Sequence, residues 1–437
     1  MKRAISMGLM VLLVIFSALP VAAGESPLIL DLDEAILLAL ENNPEILSAQ
    51  QEIFKAEGVI SVAKGGFLPS LSAGGGYTIE EDSVSGTDDG RYMQADITLS
   101  QTVYQGGKLQ AYRKQADLSL SIAEAYLAEM EHEVLLEVYK QFHDILLAKD
   151  NVGTAKDALA YAESYFSEME KKRDIGLATN LEVIRAEKLL VAGRKDLVSA
   201  TNELKSAMTV LAEMLGLDVT DPPQVRGSLF CSPFEGDIEG SRRTAMTKRP
   251  ELTRLQAQVK IQEQNIEIAR SGLRPSVTLS ASLNYNEATK NSVSASNDDW
   301  SVEARMDIPL YDGGITKGKI IQERASLEQT RRSLEQQIRS IETEVEKAYL
   351  EMETIWNSVK EMEKELELAE ESLRLAEVGY REGVSIQLDV LDARSGLTQA
   401  RKQYSEALKN YNVALATLWK SEGTLSENLI TQRPVKE

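Results

Sequence analysis

The stretch GYREGVSIQLDVLDARSG, Gly379 to Gly396, sets Asp389 and Asp392 three residues apart just past a glycine turn. Side chains at i and i+3 share one helix face, so the two carboxylates act together. Two chemistries fit that arrangement. Carboxylates just inside a helix start are favoured by the helix dipole and can simply remain solvated. Repeated by symmetry around a pore, the same carboxylates would concentrate cations and repel anions. A weaker copy, KRDIGLATNLEVIRAEK, lies 207 positions earlier and sets Gly176 against Gly383 and Glu182 against Asp389.

The other residues able to do chemistry form no constellation. His132 and His143 lie eleven positions apart with no HExxH or other metal spacing, and read as surface residues of a long helix. Cys231 is the single cysteine, which excludes an internal disulfide and a thiolate metal cluster. The run Gly74 to Gly76 and the paired glycines lack a phosphate-loop context, and within strands they permit bending or close packing. No Ser, His, Asp set can be nominated, so the expectation is a chain that is not an enzyme and holds no cofactor and no metal. A formal net charge of −20 with a pI near 4.8 argues against nucleic acid as a partner, because phosphate binding needs a positive patch.

What positions the acidic pair is a duplicated architecture. NNPEI at Asn42 to Ile46 matches KRPEL at Lys248 to Leu252, and AKGGFLPSL at Ala63 matches ARSGLRPSV at Ala269, both 206 positions apart. YQGGK at Tyr104 matches YDGGI at Tyr311 at 207. Landmarks in one order at a near-constant offset define two tandem units. The first spans 25–217, with a helix near 33–64, strands near 70–80 and 92–104, a long helix at 108–173 and a helix at 180–215. The second spans 241–423, with a helix near 241–270, strands near 276–285 and 300–310, a long helix at 314–379 and a helix at 387–419. Residues 218–240 hold three of the 11 prolines and read as an irregular linker outside the helices, with a short strand around Ser228 to Cys231; 424–437 reads as a flexible tail.

Lys319 to Val378 contains neither Gly nor Pro, and Leu334, Ile338, Ile341, Val345, Ala348 and Met352 begin a 4-3 spacing that runs unbroken to Ala376. That is a coiled-coil seam, and a helix so long must lay it against neighbours. With only 7 Phe and 3 Trp, the packing must rest on small and aliphatic residues.

The strands alternate. Trp300, Val302, Ala304, Met306, Ile308 and Leu310 oppose Ser301, Glu303, Arg305 and Asp307. Val277, Leu279, Ala281 and Leu283 oppose Thr278, Ser280 and Ser282 in the same way, as do Met93, Ala95, Ile97 and Leu99 against Gln94, Asp96 and Thr98. Apolar-out, polar-in alternation marks a membrane β-barrel, although a half-buried soluble hairpin alternates too. Tyr92 and Trp300 start the second strand of each pair and Tyr104 and Tyr311 end it, where interfacial aromatic girdles belong. EEDSVSGTDDG and NEATKNSVSASNDD read as solvent-facing loops between strands. Residues 1–24 read as a signal peptide, with two basic residues, a short apolar run and small residues before the cleavage region. Four strands cannot close a barrel when the smallest need about 8, so several chains must share one, whether two or three.

Exported, duplicated, with two strands and long helices per repeat, the chain resembles the outer-membrane efflux protein (TolC-like) family. The resemblance covers nearly all of the mature chain. GYREGVSIQLDVLDA carries it most specifically, supported by RPEL at Arg249, SGLRPSVTLS at Ser271 and YDGG at Tyr311. It implies a mainly α fold with membrane β: a homotrimer whose twelve strands close one β-barrel in outer-membrane lipid, continuous with a tube of helices crossing the periplasm. It implies an exit duct of a tripartite efflux pump or type I secretion system. Its partners would be a periplasmic adaptor (membrane fusion) protein and an inner-membrane pump of the RND or ABC type. The rivals are a periplasmic adaptor or structural coiled-coil protein and, further off, a simple porin. The resemblance places Asp389, Asp392, Glu182, Tyr380 and Ser385 at the periplasmic aperture, and Gly176, Leu177, Gly383 and Val384 at hairpin tips that dock an adaptor. Family members carry an arginine where Ser385 stands, paired with an acid at the position of Glu182. Serine cannot make that pair, and Arg381 or Arg185 are the candidates to replace it.

Overall fold

A computed structural model describes residues 28–81, 89–290 and 293–431. The expected signal peptide, most of the first hairpin loop and the last six residues lie outside the described residues. In chain order the elements are β1 (Ile29–Leu30), α1 (Leu32–Asn42), α2 (Pro44–Gly65), β2 (Ser70–Glu81), β3 (Asp89–Gln105), α3 (Lys108–Asp174) and α4 (Asn180–Met214). Then follow β4 (Gln224–Val225), α5 (Ile238–Lys248), α6 (Pro250–Arg270), β5 (Ser276–Lys290), β6 (Val293–Asp307), α7 (Ile315–Arg381), α8 (Gln387–Glu422) and α9 (Leu425–Thr431). The second half repeats the first: a broken helix, two strands, a helix of 67 residues and a helix of about half that length. At 1.5 Å per residue α3 and α7 each run about 100 Å.

The 4-3 seam of α7 is buried as its spacing demands. Ile341 and Val345 meet Ala245 and Leu252 of α5 and α6; Ala348, Met352 and Val359 meet Tyr411, Leu415 and Leu418 of α8; Leu373 meets Val390 and Leu397 nearer the turn. Buried alanines recur throughout, among them Ala116, Ala162, Ala186, Ala212, Ala400 and Ala416, and small side chains let helix axes approach closely.

Each helix expected to run unbroken before the strands is instead two helices. The break falls at Asn43 and at Arg249, each in extended conformation (ψ 127° and 118°) and each followed by proline. Proline lacks the N–H that the previous turn needs and drives the residue before it out of the α region. The break has a use, which explains why NNPEI and KRPEL repeat. Asn43 Nδ2 donates to the carbonyl of Met214 at 3.0 Å, at the C-terminus of α4. Arg249 Nη1 donates to the carbonyl of Ser421 at 3.3 Å, at the C-terminus of α8. The two short helices of each repeat therefore stack end to end beside the long one, α2 on α4 and α6 on α8.

The linker differs from expectation in its strand: Gln224–Val225 pairs in parallel with Ile29–Leu30, and 228–231 is irregular. Its Leu229, Cys231 and Phe234 pack on the core formed by α1, α3, α7 and α8. The tail also differs. Residues 425–431 form α9, whose Leu425 and Leu429 enter that same core, because apolar residues at i and i+4 give even a short helix one buried face. The histidines are corrected as well: His132 and His143 are buried, not on the surface. His143 Nδ1 lies 2.9 Å from the Tyr139 carbonyl, and its ring lies against Tyr139 with centroids 4.2 Å apart. Burial lowers the pKa of both imidazoles.

Candidate functional site at the strand face and the helical tip

The four long strands form one antiparallel sheet in the order β2-β3-β5-β6, so β2 and β6 are open edges. The pairing aligns residue types in rows. Leu71, Leu99, Ala281 and Val302 fall in one row, and Ala73, Ile97, Leu283 and Trp300 in the next on the same face. Between them, on the opposite face, lies the row Ser72, Thr98, Ser282 and Ser301. The next row on that polar face holds Gly74, Asp96, Asn284 and Asp299. Polar cross-strand bonds follow, Ser282 Oγ to Ser301 Oγ at 2.9 Å and Asn284 Nδ2 to Asp299 Oδ1 at 2.8 Å. Gly74 makes room for this face: a Cβ there would stand 2.6 Å from Asp96 Oδ1.

The aromatics divide. Trp300 lies on the apolar face opposite Leu283. Tyr104 reaches that face only through a bulge at Val103, which shifts the register so that Tyr104 pairs with Val277. Tyr92 pairs with Thr78 and Ala288 in the polar parity of β3, so it departs from the lipid-facing position read from sequence. Tyr311 follows the end of β6 at Asp307 instead of closing the strand. The second hairpin also corrects its loop: β5 and β6 continue through 286–290 and 293–299, where only Ala288, Val293 and Ala295 are apolar. Backbone ladder bonds hold such a ribbon with little help from apolar side chains.

Strand passes to long helix through a glycine pair in both repeats. Gly106 and Gly107 have φ of 60° and 89°, and Gly313 and Gly314 have 66° and 88°. Two successive left-handed residues exclude most side chains, which is why YQGGK and YDGGI are kept alike. Asp312 seals the second junction by accepting from the Thr316 N–H at 2.7 Å.

At the far ends of α3 and α7 the chain turns through Gly176 (φ 78°) and Gly383 (φ 76°). Leu177 N donates to Lys172 O at 2.7 Å and Gly176 N to Arg173 O at 2.9 Å; Val384 N and Gly383 N make the same pair to Gly379 and Tyr380. This is the Schellman closure. Its apolar residue ordinarily packs back on the helix, yet Leu177 is 74 % exposed and Val384 85 %.

The acids that follow serve first as caps. Glu182 Oε2 accepts from the Thr179 N–H at 2.6 Å and the Thr179 hydroxyl at 2.9 Å, while Thr179 Oγ1 accepts from Glu182 N. Those bonds hold the Glu182 carboxyl below the usual carboxylate range. Asp389 Oδ2 accepts from the Ile386 N–H at 3.0 Å. Asp389 and Asp392 are both exposed. Ser385 sits half-buried in the turn against Gly379, whose missing Cβ leaves it space, and its N–H donates to the Gly379 carbonyl. Tyr380 accepts at its hydroxyl from Lys172 Nζ at 3.3 Å, linking α7 to α3. Neither Arg381 nor Arg185 forms an ion pair among the described residues.

Sequence reasoning missed Arg394. Its guanidinium lies 4.0 Å from the Tyr161 ring centroid on α3, and Nη2 donates to Glu377 Oε1 on α7 at 2.6 Å. Gln387 Nε2 also reaches the Tyr161 hydroxyl, at 3.4 Å. Nothing in the local sequence marks Tyr161 as a partner, because it lies more than 200 residues away on α3.

An open sheet with one apolar face, joined through glycine pairs to helices about 100 Å long, is the protomer of an outer-membrane channel fold. Solved structures share it. The CmeC outer membrane channel of Campylobacter jejuni matches with a TM-score of 0.78 at 15% identity, over 91% of this chain and 88% of that one. The outer-membrane channel OprN matches with a TM-score of 0.74 at 18% identity, over 90% of each chain. The family model for outer membrane efflux protein matches residues 35–217 and 242–424, and the chain belongs to that family. Among its relatives, outer membrane protein TolC of Vibrio cholerae is 26% identical over 289 residues, 64% of this chain and 64% of the relative. The pyoverdine export outer membrane protein OpmQ of Pseudomonas aeruginosa is 26% identical over 298 residues, 65% of this chain and 62% of the relative. The alignments thus span a little under two thirds of these relatives' length. No helix among the described residues is long and apolar enough to cross a membrane.

Proposed function

We propose that three copies of this chain form a passive exit duct, a barrel in the outer membrane continuous with a helical tube through the periplasm. The observation that carries it is the sheet: apolar and polar rows in register across four strands, open at both edges, and directly continuous with α3 and α7. In lipid every backbone N–H and C=O must find a partner within protein, so the free edges of β2 and β6 must pair with other copies. Three chains of four strands give twelve, a barrel wide enough to hold an aqueous lumen lined by the polar rows.

On this reading the turn at Gly383 lies at the periplasmic end, and threefold symmetry sets Asp389 and Asp392 as two acidic rings at the aperture. Capping leaves Asp392 and one oxygen of Asp389 free for that role. The exposed Leu177 and Val384 are docking points for a periplasmic adaptor, through which an inner-membrane pump of the RND or ABC type supplies the energy. Relatives named for pyoverdine export and for alkaline protease secretion fit efflux and type I secretion alike.

The test is mass measurement of the detergent-extracted outer-membrane complex, followed by planar-bilayer recording. A trimer that gives discrete conducting steps supports the duct. A protein recovered from the periplasm without detergent would replace it with a soluble bridging role.

A further inference from the structure

We propose that Arg394 is the latch that holds the tip segment of α8 against α3, and that the duct must release it to widen its aperture; this rests on the duct reading. Gln387, Leu391 and Arg394 occur at i, i+4 and i+7, one face of α8. Leu391 packs into the cluster of Tyr165, Met169, Val183 and Ala186 on α3 and α4. Asp389 and Asp392 lie on the opposite face, roughly half a turn round.

Arg394 ties three helices with one side chain. It stacks on Tyr161 of α3 and pairs with Glu377 of α7, while Tyr161 stacks parallel on Tyr165 with centroids 6.1 Å apart. A planar guanidinium does both at once, where a lysine ammonium would give up one. Its Nε is buried without a partner, so the side chain carries a desolvation cost that those two contacts offset. Farther from the tip the α8 to α3 polar contacts continue at Arg401–Asp157 (3.8 Å), Ser405–Asp150 (3.3 Å) and Lys409–Asp144 (3.2 Å). Arg394 is thus the α8 cation nearest the turn that engages α3 among the described residues. Ser385, nearer still, brings no charge. A cavity of about 250 Å³ adjoins the latch, lined by Tyr161, Tyr165, Glu377, Tyr380 and Gln387.

The experiment uses the full-length protein, Arg394→Ala, Tyr161→Leu and the double variant, with two readouts. In hydrogen exchange, Arg394→Ala should speed exchange of the amides at 387–400 by about tenfold or more, the lower end of what one charge-assisted hydrogen bond contributes. Amides around Tyr411 should not change. The double variant should fall short of the sum of the two single ones, because both remove the Arg394–Tyr161 contact. In planar bilayers Arg394→Ala should raise the conducting step severalfold with cation preference unchanged, since Asp389 and Asp392 are untouched. Wild-type exchange at 387–400 in Arg394→Ala, or additive effects of the two substitutions, would overturn the latch. So would faster exchange with an unchanged conducting step. A wild-type protein that never conducts, while exchange responds as stated, refutes the duct and with it the gating role, and leaves only a packing contact.

Discussion

Adjacent residues on β5 make opposite predictions, and that contrast tests the membrane face. Leu283 lies in the apolar row with Ala73, Ile97 and Trp300, and Ser282 lies in the polar row with Ser72, Thr98 and Ser301. From Val277, at the inner end of the apolar face, to Leu283 is six residues. That is roughly 20 Å along the strand, or about 15 Å of depth at a tilt near 40°. An apolar band about 25 Å tall then puts Leu283 close to its middle. Arginine there costs about 2–4 kcal/mol per chain, and in the proposed trimer three copies bring it to about 6–12 kcal/mol. Ser282→Arg loses one exposed hydroxyl bond to Ser301, on the order of 1 kcal/mol, and keeps its charge in water. The assay is recovery of heat-modifiable trimer from the outer-membrane fraction, with the same variants refolded into vesicles. Leu283→Arg should lose nearly all trimer and Ser282→Arg should retain most of it. Equal loss from both, or tolerance of both, would refute the assignment of faces.

Two more predictions concern the helices. Arg249 is 6 % exposed and pairs with Glu251 at 3.0 Å and Glu344 at 2.7 Å, so Arg249→Ala leaves the mostly covered Glu251 carboxylate unpaired and should cost about 3 kcal/mol, the low end for a buried pair. Asn43→Ala removes a neutral carbonyl bond and the α2 cap and should cost about 1–3 kcal/mol, so denaturant unfolding should rank Arg249→Ala the lower. Buried His143 has its pKa below that of a free imidazole, so the unfolded chain binds a proton first as pH falls. Stability should therefore be full above about pH 6.5 and decline below it. Melting of His143→Gln followed from pH 7.5 to 5 should show a shallower decline, and an unchanged slope would clear this residue.

What the sequence could show depended on whether a residue's own pattern reports its surroundings. The seam from Leu334 to Ala376 was legible because a 4-3 repeat of apolar side chains can be satisfied only along a helix contact. Strand parity was legible for Leu283 and Trp300, and it sets Tyr92 with Gln94 and Asp96, but the face of Tyr104 was not legible, because a bulge at Val103 changes the face without leaving a mark in the spacing. The ribbon at 286–290 and 293–299 looked like loop because most of its residues are polar, whereas its backbone pairing depends on no side-chain type. His132 and His143 looked like surface residues since nothing nearby in sequence announces the helices that cover them. At the tip the acids and glycines were read from one segment and its copy, and Arg394 was missed because its meaning lies in Tyr161 and Glu377. The prolines at 44 and 250 did carry the helix breaks, and the break at Arg249 becomes intelligible only when Ser421 is seen beside it.

The central claim is a duct whose narrow end is lined by Asp389 and Asp392. Reversal potential across a salt gradient, recorded in planar bilayers for wild type and for the Asp389→Asn/Asp392→Asn variant, tests it most directly. Wild type should give cation-selective steps, and the variant should conduct with that preference largely lost. A conducting wild type whose selectivity survives both substitutions would contradict the acidic aperture, and a folded, inserted trimer with no conductance would contradict the duct.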